Sequence, residues 1–303
     1  VSNAGTPTTY YNVSDITSYG IGIKYGEVLY GGNGDVVSLN LTHADAPAGY
    51  LFHDYIADYG TLNTSSNPYT LTMTNDDATI SARYSAAISI AATTTNAKDG
   101  WYLIASPMGT VSPSSVTNLL SNNYDLFRFN QGAEMEWQNY TIHSNDPENP
   151  FNALVSGQGY LYANSSNVTL TFIGTPYSGT GEFALEYSTS NPDTRMRGWN
   201  LVGNPFGVTA TIENPFYRMN NAHNEIILAV DNNVAPMEGV FVQATGLNQT
   251  VTFSTGAKNE TAGVENRIVI NLSDNKGTII DRAIVSFDEG RTLPKFQIKD
   301  NST

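Results

Sequence analysis

The chain contains no cysteine, and its 303 residues include few charged ones. Without cysteine it has no disulfide bonds, no cysteine-ligated zinc site and no thiol nucleophile. Charged residues make up 14% of the sequence, with 14 basic against 28 acidic side chains, which gives a net charge of −14. Since nucleic acids and anionic lipids both present negative phosphates, this acidic excess disfavours binding to nucleic acid or to a membrane surface.

Long apolar runs and helical periodicity are also missing. No apolar stretch approaches the roughly 20 residues that a membrane-spanning helix needs, and the segment after Val1 does not resemble a signal peptide. The polar beginning and end of the chain favour a segment of a longer polypeptide. A helix of one or two turns is predicted only at 114–120, directly after Pro113.

What the sequence has instead is a set of short runs in which apolar and polar residues alternate. Residues 70–74, 79–84 and 169–172 show this period of two, and Gly, Pro, Asn or Asp residues bound each run. Alternation of this kind is typical of half-buried antiparallel strands. Hydrophobic residues make up 40% of the chain, which is enough to build packed cores. We therefore expect an all-β fold.

Four segments recur later in the chain, in the same order. They are 100–108 with 198–206, 126–130 with 216–220, 159–163 with 239–243, and 168–172 with 249–253. Four ordered matches indicate an internal duplication, with copies at about 98–190 and 196–262. The copies are expected either to pair in one pseudo-symmetric β-sandwich or to form two sandwiches in tandem. Trp101 and Trp199, which open the two copies, are predicted to lie in the core.

Residues 16–84 form a different unit. Its markers are Gly-x-Val at 26–28, a Val-rich run at 35–39, Pro-x-Gly-Tyr-x-Phe at 47–52, and Thr-x-Thr-Met at 70–73 before the run that ends at Tyr84. This order resembles the internalin-type B-repeat modules, which are small β-rich units found in tandem on bacterial surface proteins. The chain departs from that pattern at 53–55, where His-Asp-Tyr stands in the place of a tryptophan, so the unit is a divergent member.

Further motifs lie in the duplicated region and in the tail. They are Gly-Gln-Gly-Tyr-Leu-Tyr-Ala at 157–163, Gly-Trp-x-Leu-Val-Gly-Asn-Pro-Phe at 198–206, and the segment 281–290. They resemble the C-terminal part of large exported surface proteins of the Bacteroidetes, which implies an extracellular or outer-surface location and further modules in the same polypeptide. The expected organisation is a lead-in and B-repeat-like module at 1–92, the duplicated antiparallel β-sandwich region at 93–262, and the start of a further β element at 263–303.

Catalytic motifs are sparse. The four histidines show no metal-binding spacing, and the chain has neither a nucleophile elbow nor a Walker motif. Two carboxylate pairs, Glu134 with Glu136 and Asp54 with Asp58, have the composition that glycoside hydrolysis requires. An exposed hairpin explains the two glutamates better than catalysis does. We therefore expect no enzymatic activity.

Aromatic side chains provide the candidate binding site. The chain has 18 tyrosines, and exposed Tyr and Trp residues are common on sugar- and protein-binding surfaces. Trp137, Tyr140, Arg128 and Glu136 fall in one segment and are the predicted ligand-binding residues. If Trp137 lies on a loop, its ring can stack on a sugar; the alternative is a hairpin that packs its own aromatic side chains.

Several turns rich in Asp and Asn place oxygen donors close together, as calcium requires. The calcium candidates are Asp76, Asp77, Asp146 and Asp231. None of these turns has the spacing of an EF-hand, and Asp and Asn are frequent in turns for conformational reasons. No other cofactor is expected.

These features together predict a non-catalytic, secreted or cell-surface adhesin or scaffold segment that attaches to a host or bacterial surface protein or glycan. One alternative is a carbohydrate-binding module of a larger secreted glycan-degrading enzyme, which needs a coplanar platform of exposed aromatic rings. Another is a hydrolase, which needs two acids, or a serine and a histidine, in one cleft. Burial of all three tryptophans would weigh against the platform.

Overall fold

The computed structural model describes residues 11–15, 29–31, 33–39, 46–66, 68–93, 99–190, 193–256, 267–273 and 279–286. The chain divides into two compact units, residues 1–256 and residues 257–303. In the second unit the structure describes one antiparallel pair of strands, Arg267–Ser273 with Ile279–Ser286. This pair lies where the sequence predicts the start of a further β element; residues 287–290 of the tail motif are outside the described residues.

Strands account for nearly all of the regular structure, so the all-β prediction is confirmed. In chain order they are β1 (Tyr11–Asp15), β2 (Leu29–Gly31), β3 (Val36–Leu39), β4 (Leu51–Ala57), β5 (Thr61–Asn63), β6 (Tyr69–Thr72), β7 (Ala78–Ile90), β8 (Tyr102–Ala105), β9 (Tyr124–Phe129), β10 (Trp137–Asn139), β11 (Gly159–Asn164), β12 (Val168–Gly174), β13 (Glu182–Leu185), β14 (Trp199–Gly203), β15 (Ala210–Thr211), β16 (Phe216–Met219), β17 (Ile226–Leu228), β18 (Asn233–Val234), β19 (Gly239–Gln243), β20 (Gln249–Thr252), β21 (Ser254–Thr255), β22 (Arg267–Ser273) and β23 (Ile279–Ser286). Among the residues described above, one α-helical turn, α1, spans Tyr140–His143. Among the described residues, no helix has the length and hydropathy needed to cross a membrane.

The prediction of a helix at 114–120 is wrong. Only Pro113–Ser115 forms one turn of 3-10 helix, and Val116 already has an extended backbone, with φ of −88° and ψ of 117°. Asn118 then adopts a left-handed conformation, with φ of 65°, which ends any right-handed helix. Val116 and Leu119 are buried, so core packing of an irregular segment explains the apolar residues here.

Strand β7 joins the B-repeat-like segment to the first copy. Every second residue from Ala78 to Ala86 along it is buried, as expected for a strand with one face in a core. Tyr84 and Ser85 pair with β4 on one side and with β12 on the other, so β7 has neighbours along both edges. The module boundary predicted at residue 92 therefore lies just after a strand that both regions share.

The two copies have the same strand order and the same register. The first copy forms the sheet β10-β9-β11-β8, and the second forms the sheet β17-β16-β19-β14. Leu161 of β11 faces Leu103 of β8, and the counterpart Phe241 of β19 faces Leu201 of β14. The repeat deduced from the sequence is therefore a structural repeat.

Each copy is completed by a further pair of strands. β12 pairs with β7, and in the same way β20 pairs with β13. Val168 faces Ile90 in the first pair, and its counterpart Gln249 faces Leu185 in the second. Ile90 and Leu185 are both buried. β7 is thus the first strand of the first copy as well as the last strand of the B-repeat-like segment.

Alternation along the strands sends successive side chains into different apolar clusters. In β11, Tyr160 and Tyr162 enter the core that the first copy shares with the B-repeat-like segment, whereas Leu161 points the other way. Phe241 of β19 likewise points away from the core of the second copy. The side chains that point away meet those of the other copy. We call this interface the seam; its buried members are Leu103, Leu201 and Phe241.

Contacts across the seam are repeated with the roles of the copies exchanged. The Ala105 N–H donates to the Met237 carbonyl at 2.9 Å, and the counterpart Gly203 N–H donates to the Gly157 carbonyl at 2.9 Å. Two isolated β-bridges between the copies likewise join equivalent positions with the roles of the copies exchanged. A pseudo-two-fold axis therefore relates the copies. They pack face to face in one compact unit, although each copy keeps a core of its own.

Trp101 and Trp199 do not fill the cores of the copies, so this prediction is corrected. Both are half-buried. Trp199 packs edge-on against Tyr217 at 5.4 Å, and Trp101 packs against Phe127 at 6.3 Å. Trp199 lies two residues before Leu201, and strand side chains two apart share a face. The tryptophan is therefore on the seam side of its sheet, away from the core of its copy.

The Pro-x-Gly-Tyr segment of the B-repeat-like module packs against loops of both copies. Tyr50 donates its hydroxyl hydrogen to the Pro107 carbonyl, in the loop after β8, at 2.6 Å. Gly49 has φ of 85°, and a Cβ at this position would lie 1.9 Å from the carbonyl oxygen of Gly207, in the loop after β14. Glycine is therefore required at residue 49 by the backbone conformation and by the close approach to Gly207.

Candidate functional site

A groove follows the seam between the two copies. Its inner part has a volume of about 370 Å³ and continues into a more open depression of about 840 Å³. Residues of β9 in the first copy and of β13 and β14 in the second line it, so both copies contribute. Three aromatic side chains, Phe129, Phe183 and Trp199, form much of its apolar lining. We call it the seam groove.

Two amide side chains fix the second copy's wall of the seam groove. Gln131, which is 1% exposed, donates to the Glu186 carbonyl at 2.8 Å. Its Oε1 accepts the N–H groups of Ser188 at 3.1 Å and Gly198 at 2.6 Å. Asn200 accepts the Glu186 N–H at 2.8 Å and donates to the Glu186 carbonyl at 3.0 Å. These bonds hold the chain after β13 in place, so this wall of the groove has a fixed shape.

Other polar groups along the seam groove keep hydrogen-bonding capacity. Ser156 Oγ is buried and has no hydrogen-bond partner in the part of the chain that the structure describes. Gln158 Oε1 accepts the Tyr160 hydroxyl at 3.1 Å, which leaves the Gln158 NH₂ group for another acceptor. An unpaired buried polar group costs about 1–3 kcal/mol. The unpaired Ser156 hydroxyl is therefore a local energetic cost of the folded state.

Arg128 lines the seam groove, and three of its five N–H donors are already hydrogen-bonded. The guanidinium donates to Gln138 Oε1 at 2.8 Å and to the carbonyl oxygens of Asn149 and Pro150 at 2.8 and 2.9 Å. It also lies 5.2 Å from the centre of the Phe151 ring. Burial lowers the pKa of Arg128 from its ordinary value, but arginine stays charged in proteins. Its role is therefore to hold the loop 144–150 against the sheet.

We expect Arg128→Lys to release this loop, because one ammonium group cannot reproduce the three donor directions of the guanidinium. Amide hydrogen exchange at 144–150 should become at least about tenfold faster, which corresponds to the loss of one or two hydrogen bonds. Arg195→Lys is the matched control, since Arg195 is exposed and pairs with Asp193 in its own turn. Unchanged protection of 144–150 in Arg128→Lys would contradict the anchoring role.

The other predicted ligand-binding residues do not line the seam groove. Tyr140 packs edge-on against Phe151 at 5.3 Å, and burial raises the pKa of its hydroxyl. Trp137 faces away from Arg128 because Gln138, not Trp137, lies opposite Arg128 in the sheet. The Trp137 ring is half-buried and packs edge-on against Phe129 at 5.1 Å. The four predicted residues, Arg128, Glu136, Trp137 and Tyr140, therefore do not form a single site. The Trp137 ring is packed at the seam.

The four aspartates considered as calcium ligands, Asp76, Asp77, Asp146 and Asp231, lie in three different turns. Asp146 Oδ1 accepts the N–H groups of Glu148 and Asn149 at 2.9 and 3.2 Å, and these bonds, with the His143 ring, hold the pKa of Asp146 below its ordinary value. Asp231 is likewise bonded within its turn and lies beside an arginine. Within the described ranges, no cluster of three or more His, Asp or Glu residues is arranged to hold a metal ion.

One carboxylate pair considered for glycoside hydrolysis is engaged in strand and turn contacts. Asp54 accepts from Arg83 Nε at 2.7 Å, and this ion pair lowers the pKa of Asp54. Asp58 Oδ1 accepts the N–H groups of Tyr59 and Thr79 at 2.8 and 2.6 Å. Both side chains therefore help to join β4 to β7.

The pseudo-two-fold axis relates the seam groove to a second cleft of about 470 Å³. Arg218, Met219, Asn220 and Glu238 line the second cleft at the positions that Arg128, Phe129, Asn130 and Gln158 occupy in the first. Arg218 forms a two-point ion pair with Glu238, at 2.9 and 2.5 Å. The clefts are therefore equivalent in position but not in chemistry: an internal ion pair occupies one, and a neutral amide lies in the other.

Comparison with known families identifies one part of the chain. Residues 22–88 match the model of the divergent InlB B-repeat domain. The match extends from before β2 to within β7, and it confirms the B-repeat interpretation of this segment. No curated protein and no solved structure matches the chain.

Proposed function

We propose that this chain is a non-catalytic adhesion module that binds a neutral glycan in the seam groove. It acts extracellularly, at the outer surface of a bacterium, as one part of a longer multi-modular protein of the Bacteroidetes type. The B-repeat match supports a surface-type module. The class of ligand is inferred from the residues that line the seam groove.

Sugars combine two kinds of surface that the groove complements. Their rings have apolar C–H faces, on which aromatic side chains pack, and their hydroxyl groups donate and accept hydrogen bonds as amides and hydroxyls do. The groove offers the rings of Phe183 and Trp199 together with the NH₂ group of Gln158. Three of the five N–H donors of Arg128 are already bonded to the protein, which leaves this arginine fewer donors for the carboxylate of an acidic sugar.

The dimensions of the groove agree with a ligand of several sugar rings. Binding pockets for small molecules typically measure about 300–1,000 Å³. The inner part of the seam groove, at about 370 Å³, falls in this range, and the adjoining depression of about 840 Å³ extends it. A chain of sugars can therefore enter the inner part with one ring and lie along the depression with the next.

Gln158→Ala should weaken glycan binding about tenfold, because the groove loses one or two hydrogen bonds. The test is a glycan array followed by calorimetric titration of the best neutral oligosaccharide, with calcium and then with EDTA. Asn75→Ala, which removes an exposed amide in the turn after β6, is the matched control and should leave the Kd unchanged. The proposal expects the same affinity in calcium and in EDTA.

Three results would contradict the proposed function. Equal affinities for Gln158→Ala and Asn75→Ala would place the ligand outside the groove. Binding confined to charged glycans, or lost in EDTA, would indicate a different chemistry from the one proposed. A blank array would exclude the glycan class and leave attachment to a surface protein as the function to test.

A further inference from the structure

The outermost strand of the second copy's sheet, β17, has an apolar and exposed edge. Within the described chain β17 pairs only with β16. Ile226, Ile227 and Leu228 are 40%, 40% and 54% exposed, and Val230, just after the strand, is fully exposed. Edge strands of soluble proteins are usually short, charged or covered, because an open apolar edge invites another strand. β17 itself contains no charged residue that would keep another strand from pairing with this edge.

The hydrogen-bond pattern shows which backbone groups of this edge are turned outward. The Asn220 N–H donates to the Glu225 carbonyl at 2.8 Å, and the Ala229 N–H donates to the Phe216 carbonyl at 2.9 Å. In an antiparallel pair, every second residue directs its N–H and C=O to the neighbouring strand. Residues 225, 227 and 229 therefore face β16. The N–H and C=O groups of Ile226, Leu228 and Val230 face the open side.

The equivalent edge of the first copy is different. β10 occupies the position of β17, but it leads directly into α1, and Arg128 binds the loop that follows. Gln138 of β10 is 7% exposed, whereas its counterpart Ile227 is 40% exposed. The repeat architecture therefore does not require an exposed apolar strand at this position. The exposure is specific to the second copy.

We propose that β17 is a docking edge for an extended apolar segment of a partner protein that carries Lys or Arg at both ends. The segment adds to the sheet as an antiparallel fifth strand, with backbone hydrogen bonds to Ile226, Leu228 and Val230. Glu225 and Asp231 stand at the two ends of this edge and are exposed. Both carboxylates complement basic residues of the partner; Asp231 also lies 3.6 Å from Arg218, so Glu225 contributes more of the attraction.

The same two acidic residues argue against a second copy of this chain as the occupant. An antiparallel copy centred on Leu228 would place Glu225 of each chain opposite Asp231 of the other. Like charges directly opposite across a strand pair are destabilising. The net charge of −14 adds a long-range repulsion between copies. A basic-flanked partner meets neither penalty.

The test uses the full chain and a fluorescein-labelled peptide, Lys-Val-Thr-Val-Thr-Val-Lys, with fluorescence anisotropy as the readout. A second peptide with Glu in place of both Lys residues is the charge control. We expect the Lys-flanked peptide to bind at least about tenfold more tightly at low ionic strength, and the difference to shrink as salt is added. Glu225→Lys should reduce the preference, whereas Glu182→Lys, the same charge change on β13, should not.

Leu228→Pro tests whether the open edge itself is used. The Leu228 N–H faces outward, so proline removes a donor to the partner without removing a bond to β16. We expect Leu228→Pro to weaken peptide binding at least about tenfold, and Leu228→Lys, a variant that keeps the backbone donor, to weaken binding of the Lys-flanked peptide through charge. Thermal melting of both variants reports whether they are folded.

Several outcomes would overturn the proposal. Equal binding of the two peptides would show that charge complementarity does not contribute. Full binding by folded Leu228→Pro would show that the peptide does not pair with the β17 edge. Sedimentation of the unmodified chain as a dimer that Leu228→Pro abolishes would identify a second copy as the occupant. Since the seam groove is not involved, Gln158→Ala should leave peptide binding unchanged, which separates this proposal from the glycan proposal.

Discussion

A fragment that begins at residue 93 is expected not to fold, although the sequence suggests a module boundary there. The fragment lacks β7, and β12 thereby loses its partner along Val168–Gly174. Leu170 and Phe172 are 0% exposed in the intact chain and share their core with Tyr84 and Ile90 of β7. The first copy would therefore lack one layer of its core, a loss much larger than that of any single side chain.

The measurement compares fragment 93–256 with fragment 1–256, which retains the whole compact unit. Circular dichroism melting and the dispersion of amide NMR signals should show cooperative unfolding for 1–256 and none for 93–256. A cooperative transition of 93–256 with native-like dispersion would show that β7 is dispensable to the first copy. The B-repeat-like segment would then be an independent module.

Gly49→Ala is expected to lower the free energy of unfolding by roughly 3–5 kcal/mol, whereas Gly34→Ala should cost about 1–2 kcal/mol. Both glycines have φ of 85°, so alanine is strained by the backbone conformation in each. At Gly34 an added Cβ meets nothing within 4 Å, but at Gly49 it lies 1.9 Å from the Gly207 carbonyl oxygen. The difference between the two variants therefore isolates the contact between the B-repeat-like segment and the second copy.

Chemical denaturation of both variants, with the midpoint and slope fitted separately, provides the comparison. A similar loss of stability in the two variants would mean that Gly49 does not press against the loop after β14. A loss in Gly49→Ala accompanied by a smaller slope would indicate that the B-repeat-like segment unfolds separately from the copies.

Much of the fold follows from features that are local in the sequence. Alternating runs identified strands, and four ordered matches identified the repeat. Gly-Trp recurs unchanged at 100–101 and 198–199, and the glycine at 159 recurs at 239 before a run of apolar residues. The predicted copy bounds of about 98–190 and 196–262 are wrong for the first strand of each copy, since they leave β7 out of the first copy and assign β13 to it. β7 ends in Ser-Ile and β13 ends in Ala-Leu, so the pair shares only an alternation that any half-buried strand shows.

The candidate site was harder to predict because it depends on which faces of a sheet are covered. A strand with Arg128 on one side and Phe129 on the other is usually read as having one exposed face. In this protein the second copy covers the face of Phe129 and Trp137, so Trp137 is packed and not free to stack. The seam groove joins Phe129 to Phe183 and Trp199, which are 54 and 70 positions away in the sequence. Phe129 and Trp199 lie in repeated segments but Phe183 does not, and the repeat alone does not show that the three residues share a groove.

The pseudo-two-fold seam has the contact pattern of an isologous homodimer contained in one polypeptide. In such a dimer every interface residue occurs twice, so a single substitution alters both halves at once. Fusion of the halves removes this constraint and lets one half specialise while the other preserves the assembly. Glu238 binds Arg218 and closes its half with a permanent internal partner. Gln158, at the matching position, is neutral, and its NH₂ group can serve the external ligand that we propose.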